Sequence, residues 1–82
     1  MQLRVQTIGR GLDRDEVLVV VKTREGTEEV LLDNTSIQND RVEVGSPLGR
    51  MNGHWLVELP RESTRGRWRV WVEEGDLRVD AA

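Results

Sequence analysis

The stretch EVLVVVKTREGTEEVLLD, residues 16–33, decides the fold. Val17, Val19, Val20 and Val21 branch at Cβ, and such side chains sit better on a pleated strand than against the preceding turn of a helix. The polar break REGT at residues 24–27 separates this run from a second apolar run, VLL at residues 30–32. Two apolar runs split by a glycine-containing turn read as a β-hairpin. With Glu25 and Gly26 at a two-residue turn, Val21 pairs with Val30 and Val19 with Leu32 on one face. On the other face Lys22 meets Glu29 and Val20 meets Leu31. Opposite charges and apolar pairs land together in that register. The hairpin is apolar on both faces, and strands of that kind are usually covered on both sides. In a chain of 82 residues the second cover is either closure of a barrel or another subunit.

Working outward, Val, Leu, Ile and Trp recur in short runs divided by Gly, Asn, Asp and Ser, the pattern of an all-β domain. No segment carries ten residues of helical periodicity. Strands are expected at residues 3–8, 16–23, 28–32, 41–44, 54–59, 67–73 and 77–79. DNTSIQND is expected as a polar loop, and GSPLGRMNG as an irregular one shaped by Pro47 and its glycines. The expected architecture is one small β domain over residues 1–82, an antiparallel barrel or strongly bent sheet of six or seven short strands, SH3-like or similar.

A second hairpin is read in RWRVWVEEGDLRV, residues 67–79. Glu74 and Gly75 at its turn pair Val72 with Leu77 and Val70 with Val79, and Trp68 joins their apolar face. The opposite face then pairs Arg69 with Asp80 and Trp71 with Arg78, an arginine placed to cover an indole. In residues 54–59, Trp55, Val57 and Leu59 share the core side while His54, Leu56 and Glu58 face out. This reading buries Trp55 and Trp68 and leaves Leu56 and Trp71 on the outer surface.

The totals bound the function. So short a chain buries a small share of its surface and holds one domain. It has no cysteine, which excludes disulfides and Cys-ligated metal sites. The lone His54 cannot build a multi-histidine centre. The net charge is −3, the wrong sign for a general nucleic-acid coating protein. No apolar run reaches membrane-span length, and the first residues, MQLRVQTIGRG, lack the apolar core of a signal peptide. A soluble, cytoplasmic protein without a cofactor is the expectation. Asn34–Ser36 matches a glycosylation sequon and is read as chance in that setting.

Little in the chain suggests catalysis. His54 has the side chain suited to proton transfer near neutrality. Ser46, Ser63, Asp40 and Glu58 could serve it, but no spacing ties them to it. Gly45, Gly49 and Gly53 are not a phosphate loop, since the Lys-Ser/Thr ending and a following helix are missing. The acidic groups Asp13, Asp15, Glu16 and Glu73, Glu74, Asp76 lack the spacing of a calcium loop. The basic group says more. Arg61, Arg65, Arg67 and Arg69 crowd into nine residues, with Arg78 and Trp71 beside them in the expected hairpin. Arginines that follow a backbone, with an aromatic for stacking, are how small β-barrels hold single strands. The simpler reading pairs these arginines with nearby carboxylates on a charged edge.

SPLGR at residues 46–50, followed by GHWLVELP and the strand RWRVWV, resembles the last segment of the C-terminal domain of Gre-type transcript-cleavage factors. The resemblance covers about thirty residues and implies binding to RNA polymerase. The chain lacks that family's coiled coil and acidic tip, so transcript cleavage is not implied. It is also shorter between Arg50 and Gly53, where the family carries a short helix.

The expected function is a non-catalytic protein-interaction module that self-associates as a dimer, with Leu18, Val20, Leu31, Leu56 and Trp71 as its contact residues. The alternative is a nucleic-acid-binding β module using Arg61, Arg65, Arg67, Arg69, Trp71 and Arg78. An RNA polymerase-binding module of Gre-type character stands third.

Overall fold

The computed structural model describes residues 1–79. The chain is all-β, with three small antiparallel sheets. Its strands in chain order are β1 (Gln2–Arg4), β2 (Gln6–Arg10), β3 (Glu16–Thr23), β4 (Gly26–Asp33), β5 (Ile37–Gln38), β6 (Arg41–Glu43), β7 (Gly49–Met51), β8 (His54–Glu58), β9 (Arg69–Glu73) and β10 (Leu77–Arg78). One sheet runs β10-β1-β6-β5, the second β2-β3-β4, the third β7-β8-β9. Asn34–Ser36 and Glu74–Asp76 each form a single 3-10 turn. The expected first strand is two strands, because at Val5 the chain passes from one sheet to the next. The expected polar loop holds β5, and the expected irregular loop holds β7.

The central hairpin forms, with its register displaced by two residues. Thr23 pairs with Gly26, so Arg24 and Glu25 make the turn, and Val19 faces Val30 while Val21 faces Glu28. The turn residues explain the shift. Thr23 Oγ1 donates to the Gly26 carbonyl at 3.2 Å and accepts from the Glu25 N–H at 3.3 Å. Gly26 has φ +132°, a conformation that suits glycine just after the turn rather than inside it. A displacement of two keeps every side chain on its expected face.

The expected second hairpin does not form. After β9 the chain makes the Glu74–Asp76 turn, and β10 leaves for another sheet, where Leu77 lies opposite Leu3. There Leu77 packs against the core. β8 takes the place beside β9, setting Trp55 opposite Val72, Leu56 opposite Trp71 and Val57 opposite Val70. Trp68, read as core, precedes β9 and is 48% exposed. Val79 is exposed as well, and Asp80 lies outside the described residues.

The buried hydrophobic core consists of valine and leucine alone, among them Leu3, Val19, Val30, Val42, Val57 and Val72, contributed by all three sheets. The molecule measures 38 × 32 × 16 Å. At about 10 Å between packed sheets, 16 Å admits one core layer, so each sheet keeps one face toward solvent. Trp55 is half-buried rather than core, and Arg50 stacks over its ring at 5.2 Å.

Candidate functional site

The outer face of the β2-β3-β4 sheet is where the sequence placed a partner. Leu18 and Leu31 are direct cross-strand neighbours there. Val20 faces Glu29 instead of Leu31, a consequence of the displaced register, so the apolar row is shorter than expected. Leu18, Val20 and Leu31 are half-buried. Next to the row in the chain register lies a residue that the sequence reading did not single out. β2 bulges between Thr7 and Gly9 opposite Val19 and Leu18, and Ile8 in the bulge is 48% exposed. A bulge re-aims the side chain it carries, which no period-two pattern reveals. Leu56 and Trp71 pair directly, as expected of an outer face, but on the β7-β8-β9 sheet. The Trp71 ring edge lies close to Gly49, where an added Cβ would stand 3.7 Å from it, at ordinary contact distance.

The two edges of the β2-β3-β4 sheet differ. Along β4 the segment 59–68 folds back, and its groups cap alternate carbonyls. Arg65 donates to Thr27 O at 3.2 Å, the Thr64 N–H to Glu29 O at 2.8 Å, and Arg61 to Leu31 O at 3.2 Å. Those outward carbonyls would otherwise be a template for another strand. β2 is the opposite edge. Its one strand neighbour is β3, and all five of its residues are exposed.

The same segment disposes of most of the arginine cluster. Glu28 is 3% exposed and faces the core side of β4. A buried carboxylate needs compensation, and two donors and a nearby cation provide it. Ser63 Oγ donates at 2.9 Å, Arg65 hydrogen-bonds the other carboxylate oxygen, and Arg67 Nε lies 3.9 Å from it. The Arg65 hydrogen bond, with help from Ser63, holds the Glu28 carboxyl below its ordinary pKa against the opposing effect of burial. Ser63 Oγ also accepts from the Arg67 N–H at 3.0 Å, tying the loop to itself. Arg67 reaches Glu25 at 3.0 Å, and Arg61 reaches Glu16 at 2.6 Å. Arg61 thereby lowers the Glu16 pKa, as does the Leu12 N–H. Arg69 sits opposite Glu58 in the β8–β9 register, and Arg78 lies on a different sheet from Trp71. Of the six residues of the expected nucleic-acid surface, Arg67, Arg69 and Trp71 line one small cleft together with Glu25 and Glu28, and Arg78 lies on another sheet. Buried Glu28 and Ser63 are the residues sequence reading missed here, and the STRGR spacing that lets one loop serve one carboxylate was its only signal.

His54 Nδ1 lies 3.2 Å from the Asn52 carbonyl of its own turn, and His54 faces Glu73 across the strands. The turn 51–54 is tight, with Asn52 and Gly53 at positive φ. Among the described residues no group of three or more His, Cys, Asp or Glu side chains could hold a metal ion. No helix among them is long and apolar enough to cross a membrane. No family model, curated protein or solved structure matches the chain.

Proposed function

We propose that the chain is a non-catalytic interaction module whose partner is a second copy of itself, joined across β2. The observation that carries this reading is the contrast between the two edges of one sheet. β4 is capped carbonyl by carbonyl, whereas β2 is open and carries exposed Ile8 beside the half-buried Leu18–Leu31 pair. Antiparallel addition of a second β2 centred on Ile8 sets Gln6 opposite Arg10 and Thr7 opposite Gly9, with no like charges facing. Strand addition at an exposed edge supplies main-chain hydrogen bonds, and the adjoining apolar row supplies burial. In this reading the three sheets act as one strongly bent, SH3-like β unit that is sealed along β4 and open along β2.

Ion pairing of Arg61, Arg65 and Arg67 weighs against using the 59–68 segment for nucleic acid, since each is already committed to a carboxylate. An RNA polymerase partner, which the Gre-type resemblance would suggest, is favoured by no feature of the β7-β8-β9 surface over a second copy.

Sedimentation across a hundredfold range of concentration tests the proposal. A dimer that dissociates on dilution is expected, and Ile8→Ser should shift it to monomer without loss of fold, because Ile8 is half exposed. A mass of 9.4 kDa at every concentration overturns it. So does a dimer indifferent to Ile8→Ser.

A further inference from the structure

A groove adjoins the outer face of the β2–β3 hairpin, where Gln6, Thr7 and Val20 form part of its wall. It measures about 780 Å³ and runs between the β10-β1-β6-β5 sheet and the neighbouring β2–β3 hairpin. Arg4, Lys22, Arg41 and Arg78 line it, with Asp40 and Asp76. Three of these cations are gathered by strand register alone. Arg4 faces Arg41 directly across β1 and β6, and Arg78 joins the other side of β1 opposite Gln2. Leu3 lies between Gln2 and Arg4 and points into the core, so alternation sends Gln2, Arg4 and their partners outward together.

Like charges directly opposite in a sheet destabilise it. A fold that keeps Arg4 against Arg41, with Arg78 nearby, holds that repulsion with no protein carboxylate to cancel it in full. Arg41 Nη1 is buried and has no hydrogen-bond partner. Burial lowers the Arg41 pKa, Arg78 and Arg4 lower it further, and Asp76 opposes them. The arginines of the 59–68 segment are the contrast, since Arg61, Arg65 and Arg67 each meet a carboxylate. Four cations against two carboxylates make this groove locally positive in a chain of net charge −3.

We infer that the groove binds an oxyanion of phosphate type, held by Arg41 and Arg4 with Lys22 and Arg78 at its sides. Guanidinium groups suit this ligand because their forked donors match phosphate oxygens. The groove is larger than one phosphate needs, so it takes a ligand with several. None of its lining residues is aromatic, so no base stacks there, and recognition is of charge rather than of base identity. The phosphates can belong to a small polyphosphorylated molecule or to the backbone of a nucleic-acid strand, and the chemistry is shared. Gln6 and Thr7 of β2 also border the groove, but the inference rests on its cations and needs no second copy.

The test is titration of the full chain with inorganic tripolyphosphate and, separately, with a short oligodeoxythymidylate at low ionic strength, read by calorimetry and by backbone amide shifts. Tripolyphosphate is expected to bind and to move the amides of Arg4, Lys22, Asp40 and Arg41. Arg41→Gln should weaken it about tenfold, the loss of one strong charge-assisted contact. It should also raise the melting temperature of the free protein, because the Arg4–Arg41 repulsion is gone. Asp40→Asn should tighten binding roughly twofold or more, an exposed charge's worth. Lys22→Gln, at an exposed position, gives a second weakened variant that does not depend on how Arg41 packs. An oligonucleotide that competes with tripolyphosphate assigns the ligand to nucleic-acid backbone. Binding of tripolyphosphate alone assigns it to a small molecule. Absence of tripolyphosphate binding, shifts centred on Arg65 to Arg69, or affinity unchanged by both Arg41→Gln and Lys22→Gln overturns the inference.

Discussion

Trp68 and Trp71 differ by three positions and by most of their environment. Trp71 is half-buried beside Gly49 and opposite Leu56, while Trp68 stands half exposed ahead of β9. Trp71→Ala should therefore cost more than Trp68→Ala, which is expected to lose about 1 kcal/mol or less, a surface-like value. Urea midpoints of the two variants decide the order. Glu28 makes a sharper case. Its carboxyl is held below the ordinary pKa of about 4.3 chiefly by the Arg65 hydrogen bond. A depressed folded-state pKa contributes stability above the unfolded value and loses it as pH falls through the folded one. Stability should thus decline as pH drops below about 4.3. Glu28→Gln should flatten part of that decline, leaving the part due to Glu16 and Asp33, whose pKa values are also lowered. Equal acid sensitivity in wild type and Glu28→Gln, followed by circular dichroism, would remove Glu28 from the account.

At the scale of elements, two short features govern the central sheet. Gly26 follows the Arg24–Glu25 turn at φ +132° with open space where a Cβ would be. Gly26→Ala therefore meets no clash and suffers strain alone, and about 1–3 kcal/mol of destabilisation is expected by chemical denaturation. Ser63 is the hinge of the loop that seals β4, donating to Glu28 and accepting from the Arg67 N–H. Ser63→Ala should cost about 1–3 kcal/mol, the penalty for leaving buried partners unsatisfied. It should also speed hydrogen exchange along β4, where a core substitution such as Val57→Ala would weaken all sheets alike. These elements also show what the sequence could tell. The β-branched runs VLVVVK and VLL show strands, because the preference of Cβ-branched residues for the pleat is local. The register was displaced since Thr23 and Gly26 bind each other across the turn, a preference that apolar pairing does not express. The last hairpin was misread because Leu77 is satisfied by Leu3, 74 residues earlier in the chain, and no local pattern announces such a partner. The arginine groove escaped notice for the same reason. Arg4 and Arg41 meet only once β1 and β6 are known to pair.

For the molecule as a whole, the charged groove and the apolar surface adjoin at Gln6, Thr7 and Val20 but would bind by different forces, and salt should tell them apart. The chain carries −3 overall, yet the groove of Arg4, Lys22, Arg41 and Arg78 is positive. An anion approaching it is repelled at long range by the net charge and attracted at short range by the groove. Between exposed charges such attraction decays over about 10 Å at 0.1 M salt and over about 3 Å at 1 M. The proposed contact across β2 rests instead on main-chain hydrogen bonds and on Ile8, Leu18 and Leu31, terms that simple salts barely change. Raising sodium chloride through that range should weaken tripolyphosphate binding tenfold or more, in the manner of counterion-linked association. The dimer dissociation constant should stay within about twofold, and sodium sulfate should strengthen it, since sulfate favours apolar burial. Paired calorimetry and sedimentation at each salt concentration make the comparison. A dimer that dissolves in step with the loss of tripolyphosphate would mean that ion pairs, not the open edge of β2, hold the two copies together.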